Sequence, residues 1–150
     1  MNKIFPIIPA SNASLWTIAV IFIIILGLNI LFGYIAYSTR HVQFILSEQG
    51  LEIKGDLYGT KLSKNVLKND QVKLINLEID KTYQPKWRTN GIGLPGYLSG
   101  WFRLKNKEKA LLFVTDTKKV VYLPTTKGYS LMMTMQKPED FIDSLETINY

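Results

Sequence analysis

Cysteine is absent from the 150-residue chain. That excludes disulfides, thiol catalysis and cysteine-held metal centres. Histidine occurs once, at His41, so no histidine-based metal site can be assembled. His41 also lies beside Arg40 at the end of a long apolar run, where an interfacial role fits better than a Ser–His dyad. The carboxylates are scattered. Glu78 and Asp80 stand two apart at the end of an apolar alternation and would share one face of a strand. They could hold a cation, but solvated strand-end charges fit the pattern better. No nucleophile–base pair, internal repeat or low-complexity segment stands out. The expectation is a non-enzymatic protein with no cofactor and no metal.

Charge is also missing from Leu15 to Tyr37, a run dominated by Ile, Leu, Val and Phe. As a helix it would reach roughly 30 Å, the thickness of a hydrocarbon core. Trp16 at one end and Tyr34 and Tyr37 at the other suit the two membrane interfaces. The run is longer than the apolar region of a signal peptide, and Tyr34-Ile35-Ala36-Tyr37 is too bulky for its cleavage site. The chain is therefore expected to have a short tail over residues 1–14, a transmembrane helix over 15–37 and a domain over 42–150. It would be a single-pass protein of the cell membrane. Lys3 and the α-amino group on one side nearly balance Arg40 and Lys54 on the other. A short basic N-terminus tips the expectation slightly towards an extracytoplasmic domain. Asn29 inside the run, with Gly33 one turn on, offers a face for homo-oligomerisation.

After the run the periodicity changes to that of short strands separated by turns. Val42–Leu46, Leu51–Lys54, Leu57–Leu62, Val72–Ile79, Trp101–Leu104, Ala110–Val114, Val120–Leu123 and Tyr129–Met133 are strand-like segments. This spacing predicts a sandwich or barrel. Pro138 at a first helical position, with Glu139 and Asp140 behind it, opens a final helix. Phe141, Ile142, Leu145 and Ile148 would share its apolar face. The domain is basic: eighteen Lys and Arg oppose twelve Asp and Glu in the whole chain, and four of those acids lie in the last fifteen residues. Beside a bilayer, such a charge favours anionic headgroups by about 1 kcal/mol per basic residue.

The stretch from about Asp80 to Ser99 reads as a long irregular loop, the kind often tied to function. It contains Gly91-x-Gly93-x-x-Gly96, but not as a dinucleotide fingerprint. No apolar strand precedes it, Pro95 falls inside the turn, and Gly100 would interrupt the helix that must follow. What it offers is a rigid frame of basic and aromatic side chains. Only three arginines occur against fifteen lysines, and two of them, Arg88 and Arg103, lie here, suggesting a need for guanidinium geometry. The candidate binding residues are Lys86, Trp87, Arg88, Asn90, Gly91, Gly93, Gly96, Tyr97, Trp101 and Arg103. Backbone N–H groups at the glycines could form an anion nest. The structural alternative pairs Arg88 with carboxylates or carbonyls at the core edge and puts Trp87 and Trp101 into the core.

The run Lys86-Trp87-Arg88-Thr89-Asn90-Gly91-Ile92-Gly93-Leu94-Pro95-Gly96-Tyr97, followed by Gly100-Trp101-Phe102, resembles the signature of a bacterial pleckstrin-homology-like (PH-like) domain family. Ala110–Thr115 and Val120-Val121-Tyr122-Leu123-Pro124 are similar to that family's pattern as well. The resemblance spans roughly Val42 to Leu145. It implies a mainly β (α+β) fold: a split barrel of about seven antiparallel strands, capped by the C-terminal helix and preceded here by the transmembrane helix. It also implies a binding module. No lysine and arginine cluster matches the phosphoinositide pocket of eukaryotic PH domains. The expected partners are the lipid bilayer, a protein at the membrane, or a second copy of the chain. The membrane tether, and the lack of any known reading motif, argue against nucleic acid.

Overall fold

The computed structural model describes residues 3, 5–9 and 11–147. The chain divides into two compact units, one ending at Tyr37 and the other beginning at Ser38.

The first unit is dominated by helix α1 (Asn12–His41), which begins before and ends after the uncharged run. Its Ile, Leu, Val and Phe side chains are exposed, apart from the half-buried Ile35. A helix apolar all round that finds no protein cover belongs in a core or a membrane. By length and composition, Asn12–Ser38 is the one candidate span among the described residues. Arg40 and His41 in the last turn suit the negative end of the helix dipole. Within the span, Asn29 Nδ2 donates to Ile25 O at 2.8 Å, and the space beside Gly33 is open.

The second unit holds nine strands and one α-helix among its described residues. Strands β1 (Gln43–Ser47), β2 (Gly50–Lys54) and β3 (Lys61–Ser63) form a three-stranded antiparallel sheet. The six-stranded sheet comprises β4 (Lys73–Ile75), β5 (Pro85–Leu94), β6 (Tyr97–Leu104), β7 (Lys109–Val114), β8 (Val120–Pro124) and β9 (Ser130–Met133), in the order β4-β8-β9-β7-β6-β5. Helix α2 (Pro138–Thr147) closes the described chain.

Two cores lie on opposite faces of the six-stranded sheet. On the first, Leu51, Ile53 and Leu62 of the small sheet pack with Leu111, Phe113, Val121, Leu123, Leu131 and Met133. Phe141 and Leu145 of α2 complete that layer. On the second, Phe102, Leu104, Ala110, Leu112, Val114, Val120, Tyr122 and Met132 are covered by Ile75, Leu77 and Tyr83. Strands β8 and β9 are thus buried on both faces, which is why their sequences are nearly continuous apolar runs rather than alternations.

The mainly β architecture with a C-terminal helix agrees with the expectation drawn from the resemblance. Several details differ. There are nine strands rather than about seven, and the sheets do not close into a barrel. Strand β9 inserts between β7 and β8, so it runs parallel to β7, an exception to the antiparallel pattern. Of the expected strand Leu57–Leu62 only Lys61 and Leu62 belong to a strand, β3; Leu57 and Tyr58 form a turn in which Asp56 Oδ1 accepts from the backbone N–H of Tyr58. The expected strand Val72–Ile79 ends at Ile75, where Asn76 Oδ1 accepts from Glu78 N. The Asp80–Ser99 stretch is not an irregular loop but a short 3-10 turn followed by β5 and the start of β6. Ile148, placed on the apolar face of the last helix, lies outside the described residues.

Candidate functional site

The β5–β6 hairpin explains most of the glycines that marked this segment. Leu94 pairs with Tyr97 across the two-residue turn Pro95-Gly96. Proline presets the first turn position, and Gly96, at φ 75°, supplies the positive φ of the second, the type II pattern. Further down, Gly91 pairs with Gly100. A Cβ on Gly100 would sit 2.6 Å from Asn90 O and 3.0 Å from the Tyr58 ring, at a backbone φ of +105°. The absence of side chains lets that ring lie across the strands, and its hydroxyl donates to Asn90 Oδ1 at 3.0 Å. Gly91 and Gly93 lie in the extended backbone of β5, where successive N–H groups point to opposite sides instead of converging as the anion nest of a free loop would.

The ten candidate residues do not converge on one point. Tyr97 stands at the turn end of β6 and Arg103 near the other, about 20 Å apart at the rise of a strand. At the turn end, Tyr97 is buried and its hydroxyl donates to Asp56 Oδ2 at 2.5 Å. Ser99 Oγ is 2.7 Å from both Asp56 oxygens. Ser38 Oγ donates to Gly55 O at 2.9 Å and lies 3.2 Å from the Tyr97 hydroxyl. Burial, and then the hydrogen bond to Asp56, push the Tyr97 hydroxyl above the ordinary tyrosine range. Tyr97 therefore belongs to an internal polar cluster that ties Ser38 to the β2–β3 turn and β6.

At the other end the side chains are open. Trp87 is 61% exposed, with the Lys86 ammonium 4.9 Å from its ring centre. Trp87 pairs across the strands with Arg103, and Arg103 pairs with Lys109. Trp101 is half-buried on the first core; it meets Tyr129 edge-on at 4.9 Å and carries the Lys109 ammonium at 4.2 Å. So one tryptophan fills the core edge and the other does not. The Arg88 side chain makes no hydrogen bond or ion pair among the described residues; it lies over Gly93, where a Cβ would be 3.7 Å from its terminal nitrogen. Lys86, Arg88 and Gly93 line an open cleft of about 380 Å³ floored by Leu98 and Phe102.

Three further lysines, absent from the sequence-predicted set, complete this end. Lys105 and Lys107 occupy the β6–β7 turn, and Lys109 opens β7. Their signal was the alternation Arg103-x-Lys105-x-Lys107-x-Lys109, read only as a hairpin turn. Their polar contacts are neutral: Arg103 donates to Lys107 O at 2.9 Å and Lys105 to Gln84 Oε1 at 2.7 Å. The carboxylate among them, Glu108, is turned inward. It accepts from the hydroxyls of Tyr122, at 3.0 Å, and of Ser130. The ion pairs Lys54–Glu52, Lys119–Glu139 and Lys137–Asp140 lie elsewhere. Glu78 and Asp80 do not form a joint cation site: Glu78 accepts from Thr117 Oγ1 at 3.0 Å, and Asp80 caps Thr82 N at 3.1 Å.

No curated protein and no solved structure matches the chain. The family model described as "Bacterial PH domain" matches residues 42–148, from before β1 to beyond the end of α2. With most of its length in that match, the chain belongs to the bacterial PH domain family.

Proposed function

We propose that this protein is a non-enzymatic binding module, held at a bilayer by α1, that engages anionic lipid headgroups through the basic end of its six-stranded sheet. PH domains are generally non-catalytic binding modules and commonly bind lipids or proteins. The observation that carries the proposal is the unpaired charge. Arg103 and Lys109 face each other across two strands, a like-charge pair that destabilises a sheet unless an anion answers it. Lys105 and Lys107 lie in the adjoining β6–β7 turn, Lys86 stands next to Trp87, the residue paired with Arg103, and Glu108 is withdrawn by Tyr122 and Ser130. Trp87 adds an amphipathic ring at the same end, suited to a headgroup layer.

The experiment is vesicle flotation of Ser38–Tyr150, a fragment that keeps the Ser38 contact to Gly55. Lys105→Ala with Lys107→Ala removes two exposed cations without touching either core. At about 1 kcal/mol each, the double variant should bind phosphatidylserine vesicles roughly 30-fold more weakly. Equal binding by the variant and the unmodified fragment would remove this surface from the reading.

A face on α1 for homo-oligomerisation is a separate proposal. Asn29 Nδ2 is bonded within its own helix, while its Oδ1 can accept from a second helix and Gly33 leaves room for close approach. Unchanged helix–helix crosslinking in Asn29→Leu would count against it.

A further inference from the structure

The domain presents four strand edges, since its two sheets do not close: β1 and β3 on the small sheet, β4 and β5 on the large. Three of them are blunted. Strands β3 and β4 have three residues each. Strand β5 begins at Pro85, carries Lys86 and Arg88, and has two register shifts within its first six residues. These are devices that keep edges from pairing. Strand β1, with the sequence Gln43-Phe44-Ile45-Leu46-Ser47, has none of them. It carries no charge and no proline, and its five residues pair with β2 without a shift.

Its hydrogen-bonding groups can be assigned. The β1–β2 turn has two residues, Glu48 and Gln49, so its closing pair Ser47–Gly50 is hydrogen-bonded. Alternation along the ladder then directs Ile45 and Gln43 to β2 as well. The N–H and C=O groups of Phe44 and Leu46 point to the open edge, and no hydrogen bond ties them to another described residue.

We infer that β1 is a self-pairing edge, and that two copies of the chain join through it as an antiparallel two-fold dimer. The register that overlaps all five residues sets Ile45 opposite Ile45 of the second copy and Phe44 opposite its Leu46. The open N–H and C=O groups are then satisfied reciprocally, as a two-fold interface requires. The charges select the second copy as the occupant. Arg40 precedes the strand and Glu48 follows it, and neither is ion-paired among the described residues. An antiparallel pairing brings the Arg40 end of each copy to the Glu48 end of the other. A parallel pairing would instead set like charges together. Ile45, 39% exposed, supplies an apolar contact on the two-fold axis. Confinement of both copies to one membrane raises their effective concentration.

The chain has no native cysteine, so single-cysteine variants of the full-length protein in native membranes give a clean test. Opposed residues of a non-hydrogen-bonded pair have Cα atoms about 4.5 Å apart, within disulfide reach. Under mild oxidation Ile45→Cys should give a disulfide dimer, whereas Lys118→Cys, on the exposed β7–β8 turn, should not. Adding Arg40→Glu to Ile45→Cys removes two symmetric ion pairs and should lower dimer yield about tenfold. Adding Glu48→Arg as well should restore it. Equal crosslinking of the Ile45→Cys and Lys118→Cys proteins would overturn the inference, because it would mean random collision. A loss with Arg40→Glu that Glu48→Arg fails to repair would also overturn it.

Discussion

Glycine and tyrosine carry the sharpest single-residue consequences. Gly100 and Gly96 both sit at positive φ, yet only Gly100 is enclosed by Asn90, Gly91 and Tyr58; nothing lies within 4 Å of a Cβ on Gly96. Gly96→Ala should therefore cost only backbone strain, about 1–2 kcal/mol, while Gly100→Ala should cost more than about 3 kcal/mol or prevent folding. Urea unfolding of the two variants checks the order. Tyr122 gives a pH signature. Burial, reinforced by the hydrogen bond to Glu108, pushes its hydroxyl up to about 12. The folded state thus holds this proton more tightly than the unfolded chain does. Its stabilisation is complete below the ordinary tyrosine value near 10 and is lost as pH rises through 12. Tyr122→Phe should be less stable than the unmodified protein at pH 8, and the gap should narrow by pH 11.5. Thermal melts at the two values read it directly; a constant gap would contradict the assignment.

At the scale of elements, legibility in the sequence followed burial. Strands β7, β8 and β9 and helix α2 stood out because both their period and their apolar content are set by the cores they fill. Leu145 is fully buried, so Leu145→Ala should cost about 2–5 kcal/mol and loosen α2. Hydrogen exchange of α2 amides should rise before that of β8. Strand β5 was not legible. It is an edge strand whose side chains are mostly exposed, so no apolar alternation marks it, and its glycines and prolines imitate a loop. The glycines of the hairpin answer packing needs three-dimensional in origin: the close approach of Gly91 on β5 to Ser99 O and the Tyr58 ring over Gly100 on β6. The candidate site was legible to the same partial degree. Arg88, Arg103 and Trp87 are exposed, so the core-edge alternative does not hold for Arg88 and Trp87. Tyr97 is not available, because Asp56, distant in sequence, claims its hydroxyl. Lys105, Lys107 and Lys109 went unnoticed because their place at the same end of the sheet as Trp87 and Arg103 depends on strand pairing.

At the scale of the whole molecule, the proposed work at a membrane surface rests on one helix long and apolar enough to cross a bilayer and on a basic domain of the PH family. Among the domain's acids, Glu52, Glu139 and Asp140 pair with lysines away from the basic end, and Asp56 and Glu108 are drawn into hydroxyl clusters. What remains at one end of the large sheet is a set of cations without carboxylates. Surface electrostatics of this kind is screened by salt. The most direct test is flotation of Ser38–Tyr150 with phosphatidylserine vesicles and with neutral phosphatidylcholine vesicles, at low and high salt. The account predicts binding to the anionic vesicles alone, lost at high salt. Absence of binding under every condition, or equal binding to neutral vesicles, would contradict it.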